Sequence, residues 1–89
     1  MIRREVEIVN KLGLHARAAA RLVTEASLYD CEVLLRREEQ EVNGKSIMGV
    51  MMLAAGQGSR LTLITDGDDE ENAMAALERL IADRFGEPE

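Results

Sequence analysis

Residues 2–26 read IRREVEIVNKLGLHARAAARLVTEA, and the change of period inside that stretch decides the fold class. Ile2, Val6 and Ile8 fall on one side of an alternating run, with Arg3, Glu5 and Glu7 on the other, as in a half-buried strand. Arg4 interrupts the alternation, and Asn10–Gly13 reads as a turn. Beyond it, Ala19, Leu22, Val23 and Ala26 recur at the spacing of an apolar helix stripe. A strand therefore gives way to a helix within a few residues of His15.

The same reading extends along the chain. Cys31–Arg36 and Gln40–Val42 are expected to form two short strands joined by a polar turn at Arg37–Glu39, and Asn43-Gly44 is a further turn signal. Met48, Met51, Met52 and Ala55 sit at helical spacing behind Ser46, a candidate N-cap. Arg60–Thr65 is rich in strand formers and follows glycines at 56 and 58. Asp68 with Glu71 resembles a capping box opening a last helix, whose stripe is Ala73, Ala76, Leu77, Leu80, Ile81 and Arg84. No linker, low-complexity segment or repeat divides residues 1–89, so one domain is expected. The order β-α-β-β-α-β-α predicts an α+β fold, an antiparallel sheet with helices on one face.

Composition narrows the function. A chain of 89 residues buries only about 60–65% of its unfolded surface, and its 46% hydrophobic content suffices for a compact core. The net charge of −6 argues against generic nucleic-acid binding, and Tyr29 and Phe85 are too few aromatics for a base-stacking platform. No apolar run approaches the length of about 18 residues that a membrane span requires, and Arg3, Arg4 and Glu5 open the chain with charge rather than a signal sequence. A cytoplasmic location is expected. Residues 65–89 hold nine acids and two arginines, leaving nine bases and eight acids in residues 1–64. Two windows, 8–24 and 42–65, carry no acid at all. Either the chain ends in a solvated acidic helix and the windows are incidental, or a neutral-to-basic face greets an acidic partner while the acidic end stays away.

Every histidine mechanism must pass through His15, the only histidine. It stands at the start of an acid-free helix with Arg17 two residues on. Free amides at a helix start bind anions, phosphate included, and the positive helix end favours a neutral, nucleophilic imidazole. Arg17 adds a charged donor for a phosphoryl group. One His and one Cys cannot supply a zinc site, no G-x-S-x-G elbow occurs, and Gly56-Gln57-Gly58 lacks the remainder of a phosphate-binding loop. No metal or cofactor is therefore expected. Cys31, among apolar neighbours, reads as a small buried residue. Ser46 has two readings: a helix cap, or a phosphorylation site placing roughly −1.5 to −2 charges on the acid-free face. The short helix behind it cannot bury all of Ile47, Met48, Val50, Met51, Met52 and Leu53. At least one methionine is expected in the core, and the rest in an adaptable apolar docking patch.

Asn10-Lys-Leu-Gly-Leu-His15-Ala-Arg17 before an alanine-rich helix, with Gly44-Lys45-Ser46-Ile47 about 30 residues later, resembles the HPr family. These are the histidine-containing phosphocarriers of the bacterial phosphoenolpyruvate phosphotransferase system. The resemblance covers nearly the whole chain and implies an open-faced β-sandwich of four antiparallel strands with three helices on one face. It implies a carrier rather than an enzyme, phosphorylated on His15 by enzyme I and passing the phosphoryl group to a IIA-type acceptor. Arg17 carries over as the phosphoryl-binding arginine, and Ser46 as the serine that HPr kinase/phosphorylase modifies in many bacteria. Partners are expected to dock on residues 12–24 and 46–56, including Ala16, Ala20, Arg21, Ile47, Met48, Met51 and Met52. Ala18 stands where the family usually has proline, and with Met51-Met52-Leu53-Ala54-Ala55 it looks most similar to the nitrogen-related branch. The competing readings are a non-enzymatic binding module in which His15 is incidental, and a phosphate-ester hydrolase using His15 as nucleophile.

Overall fold

The computed structural model describes residues 1–89. Its elements are β1 (Ile2–Glu7), α1 (Ala16–Ala26), β2 (Glu32–Arg37), β3 (Gln40–Asn43), α2 (Ile47–Met52), β4 (Arg60–Asp66) and α3 (Glu70–Ala82), followed by a 3-10 turn at Arg84–Gly86. The four strands form one antiparallel sheet in the order β1-β4-β2-β3. Ile2 faces Thr65 and Glu7 faces Arg60 across β1 and β4, while Leu34 faces Ile64 across β2 and β4. This is the expected open-faced α+β sandwich with the expected element order. No helix is long and apolar enough to cross a membrane.

Period-2 patterning decides what the sheet covers. Val33 and Leu35 of β2 and Leu61 and Leu63 of β4 point to the helices and are essentially fully buried. From the other side, Ala18, Ala19, Leu22 and Ala26 of α1 and Ala73, Met74, Leu77 and Ile81 of α3 complete the core. The α1 stripe is mostly alanine, so its backbone can approach the layer beneath closely. Cys31 is buried, as expected.

Three local expectations are corrected. Met48, Met51 and Met52 are 73%, 41% and 65% exposed, so none is core; Val50 of α2 and Leu53, the residue that follows the helix, are buried instead. A six-residue helix offers only one or two inward positions, and the β-branched Val50 and the Leu53 that caps the helix go inward with less rotamer loss than methionine would. The Asp68–Glu71 capping box does not form. Helix α3 begins at Glu70, whose carboxylate accepts from Gly67 N–H at 3.0 Å, while Asp69 turns back to accept from the Asp30 and Cys31 amides at 2.8 and 2.9 Å. These bonds hold both carboxyls below the ordinary carboxylate range; the largest causes are the Asp30 amide for Asp69 and the Gly67 amide for Glu70. Finally, Arg84 lies beyond α3 and is exposed; at that end of the chain the neighbouring Phe85 is the residue buried in the core.

The loop before α1 is fixed by a close backbone approach. Leu14 N–H donates to the Ala55 carbonyl at 2.9 Å, and Gly13 has φ of 67°. A Cβ on Gly13 would stand 2.5 Å from Ala55 O and 2.7 Å from Gly56 Cα, both backbone atoms that cannot swing away. Gly13→Ala is therefore expected to destabilise the fold by about 1–3 kcal/mol or more, from the left-handed φ and the overlap together. Urea unfolding would measure it, and a loss below half a kcal/mol would contradict this account.

Candidate functional site

His15 is the N-cap of α1, with extended φ and ψ of −72° and 179°, and its carbonyl accepts the first helical bond from Ala19 N–H at 2.8 Å. The amides that follow have no intrahelical acceptor, as at any helix start. Imidazole Nδ1 turns toward them and accepts from Arg17 N–H at 3.3 Å. That bond is long, and therefore weak and easily exchanged. The ring is partly exposed, and a hollow beside it is lined by Lys11, Leu12, His15, Ala16, Arg17, Glu87, Pro88 and Glu89.

The sequence-expected separation of this face from the acidic end does not hold. The chain after α3 reverses and lays Glu87 against the ring, with Nε2 2.5 Å from Glu87 Oε2. The other carboxylate oxygen accepts from Asn10 Nδ2 at 2.9 Å, and the same amide group donates to the Gly13 carbonyl at 2.9 Å. Asn10 is completely buried, Glu87 nearly so, and Asn10 Oδ1 has no partner. Lys11 N–H also donates to the Glu89 carbonyl, and Lys11 Nζ lies 3.3 Å from its carboxylate. Asn10 and Glu87 were not singled out in the sequence as site residues. Glu87 is 72 positions from His15, and no local periodicity connects them.

Electrostatics explain how the buried acid is tolerated. The Asn10 amide is the largest influence holding the Glu87 carboxyl below its ordinary range; burial opposes this, and the hydrogen bond to the His15 ring and the positive charge of Arg17 assist it. Arg17 itself is exposed, with its side chain on the rim of the hollow.

The other sequence-expected residues fall into two groups. Ala16, Arg21, Ile47, Met48, Met51 and Met52 are exposed, and Ala20 is half-buried. Arg21 is also engaged within the chain, donating from Nη1 to the Phe85 carbonyl. Ser46 lies outside the hollow, half-buried at the start of α2, where its Oγ accepts from Gly49 N–H at 3.1 Å, as an N-cap should. Ala18, in the place of the usual proline, is fully buried in the first turn of α1. No group of three or more His, Cys, Asp or Glu side chains is arranged to hold a metal ion.

Because the Glu87 carboxyl binds its proton less readily folded than unfolded, its stabilisation is fully present above the ordinary carboxyl range, about pH 4.3. It is lost as pH falls through the depressed folded value. Glu87→Gln is thus expected to lower stability at neutral pH, with the gap to the parent chain closing on acidification below pH of about 4. Denaturant unfolding across that range checks it; a gap independent of pH would mean the ionised carboxylate contributes nothing.

Comparisons with known proteins bear on the family and the fold. The family described as "PTS HPr component phosphorylation site" matches residues 2–83. A phosphocarrier protein HPr of Cupriavidus necator is 57% identical over 89 residues, covering 100% of both chains. One from Neisseria meningitidis is 52% identical over the same span, again with full coverage. Among solved structures, HPr-C-His from Thermoanaerobacter tengcongensis superposes with a TM-score of 0.96 at 45% identity, covering both chains completely. These relatives are named HPr and do not separate the nitrogen-related branch from the others, so Ala18 carries no branch assignment.

Proposed function

The chain belongs to the HPr family of phosphocarrier proteins of the phosphotransferase system, carriers rather than enzymes, and on that premise we propose that its phosphoryl group travels on Nδ1 of His15. The observation that carries this reading is the orientation of the ring. Nδ1 faces the open first turn of α1 and accepts from the Arg17 amide, whereas Nε2 is closed off by Glu87. A nitrogen that accepts from an N–H carries a lone pair, so Nδ1 is the nucleophile of the pair. A phosphoryl group on it would displace the long Arg17 N–H bond and receive the freed amide, its neighbours and the Arg17 guanidinium.

The donor is enzyme I, charged from phosphoenolpyruvate, and the acceptor a IIA-type protein. Both dock on the face formed by residues 12–24 and 46–56 beside His15. Support comes from its exposed apolar side chains, Leu12, Ile47, Met48, Met51 and Met52, flanked by Ala16, Ala20, Arg17 and Arg21. Methionine suits a surface that must fit more than one partner, because its unbranched side chain repacks at little cost. Docking expels water from the hollow and strengthens each contact to the phosphoryl group.

Ser46 is the regulatory position, modified by an HPr kinase/phosphorylase. As N-cap of α2 it could carry a phosphate without loss of the fold, since negative charge suits a helix start. The charge would nevertheless enter the middle of the docking face.

Incubation with enzyme I and labelled phosphoenolpyruvate tests the carrier assignment. His15→Ala should lose all acid-labile label and keep its fold, and Arg17→Ala should transfer roughly 10- to 100-fold more slowly, as expected for one lost charged hydrogen bond. Label on the His15→Ala protein would refute the assignment. Turnover to free phosphate would indicate a hydrolase, and absence of label on the unmodified chain a simple binding module. Separately, Ser46→Asp should slow phosphorylation of His15 at low salt with nearly unchanged Tm, the difference shrinking as salt screens the repulsion. A rate ratio near one at both salt concentrations would leave Ser46 a helix cap alone.

A further inference from the structure

We infer that Glu87 is a positioning residue that selects the tautomer of His15, holding the proton on Nε2 so that Nδ1 presents its lone pair. This rests on the reading of His15 as the phosphoryl acceptor, and deepens it by naming the group that makes one nitrogen reactive.

The argument is one of donors and acceptors. An ionised carboxylate can only accept, so a nitrogen 2.5 Å from Glu87 Oε2 must bear the hydrogen. The opposite nitrogen faces an amide N–H and must accept. Both ends of the ring thus specify the same tautomer, and neither contact can be kept in the other. The carboxylate is itself fixed. Asn10 Nδ2 donates to Oε1 from a fully buried position, and the unpartnered Asn10 Oδ1 shows that the amide is oriented toward Glu87 and Gly13 at the expense of its own acceptor. Behind it, Phe85 is buried in the core as an anchor, and Arg21 holds the Phe85 carbonyl. Arg84, Phe85 and Gly86 all have positive φ, of 57°, 54° and 78°, so the tail reverses within three residues and brings Glu87 under the ring. Nothing in a solvated C-terminal tail would sustain two consecutive left-handed non-glycine residues; the tertiary contacts do.

The chemistry follows from that placement. In transfer, the Nδ1 lone pair forms the N–P bond while the bond between phosphorus and the donor breaks and its electron pair leaves with the donor. Nε2 keeps its hydrogen throughout, so the ring becomes positively charged, and the buried carboxylate against Nε2–H compensates that charge as it develops. In onward transfer the N–P pair returns to Nδ1, and the ring is restored to the neutral form in the same tautomer. No proton enters or leaves at either step.

Glu87→Gln gives a discriminating test because its outcome is dictated by Asn10. The Asn10 amide donates to the Oε1 side, so the glutamine carbonyl must turn there and its NH2 must face Nε2. A donor now opposes a donor, and the ring is driven to carry its hydrogen on Nδ1, where it meets Arg17 N–H. Nitrogen-15 NMR of the imidazole reads the tautomer directly and without ambiguity, since His15 is the only histidine. This measurement needs no phosphoryl donor, so it can fail or succeed independently of the carrier assignment.

The expected results are the Nε2–H tautomer with an exchange-protected proton in the unmodified chain, and its loss in Glu87→Gln. Phosphorylation by enzyme I should slow roughly 10- to 100-fold in that variant. Glu87→Ala removes the acceptor without introducing a donor, so it should be slowed less than Glu87→Gln. The inference is overturned if the unmodified chain carries the hydrogen on Nδ1 or on both nitrogens equally, a measurement that stands even if the glutamine variant fails to fold. It is overturned equally by a folded Glu87→Gln with unchanged tautomer, or by Glu87→Ala being the slower of the two.

Discussion

No side chain fits between Gly13 and the backbone of Ala55 and Gly56, and the working end of the molecule is built around that contact. It brings the loop before α1 against the segment after α2, and the Leu14–Ala55 hydrogen bond seals the approach. Leu14 and Ala55 are both buried there. With the loop held at that point, the chain must enter α1 at His15, and the exposed part of α2 is set on the same side of the protein. His15 caps α1 and the exposed methionines lie on α2, and this backbone contact gives the two helices a common frame.

A second constraint acts through the C-terminal turn. Two left-handed non-glycine residues, Arg84 and Phe85, cost about 1–2 kcal/mol each. Complete burial of a phenylalanine contributes about 1.5–3 kcal/mol. These magnitudes are comparable, so the turn depends on its remaining bonds: Arg21 to the Phe85 carbonyl, Asn10 and His15 to Glu87, and Lys11 to Glu89. Structure and site therefore support each other. The carboxylate that orients the ring also helps to hold the tail in place, and the hollow exists only while it does.

Much of the fold was legible because its signals are local. The alternation of β1, the alanine stripe of α1 and the cap at Ser46 are each encoded within a few residues, and each was found where the pattern placed it. Errors arose where several residues of similar type competed for few inward positions. In α2, hydropathy alone could not rank methionines against Val50 and Leu53. At the start of α3, acids clustered so densely that the spacing of Asp68 and Glu71 mimicked a capping box, while Asp69 and Glu70 took other bonds.

The sequence by itself determined the element order, the position of the single histidine at a helix start, and the presence of Arg17 beside it. All of these follow from short-range periodicity and from residue type. Which imidazole nitrogen is free was a tertiary decision. It depends on Glu87, 72 residues away, reaching the ring after Phe85 has found the core and the chain has turned back through three residues of positive φ. The net charge of residues 65–89 pointed away from the basic face, and one desolvated carboxylate with Asn10 beneath it reversed that expectation. A sum over charges describes long-range steering; it says nothing about a single acid whose hydrogen-bond donors are assembled only by folding.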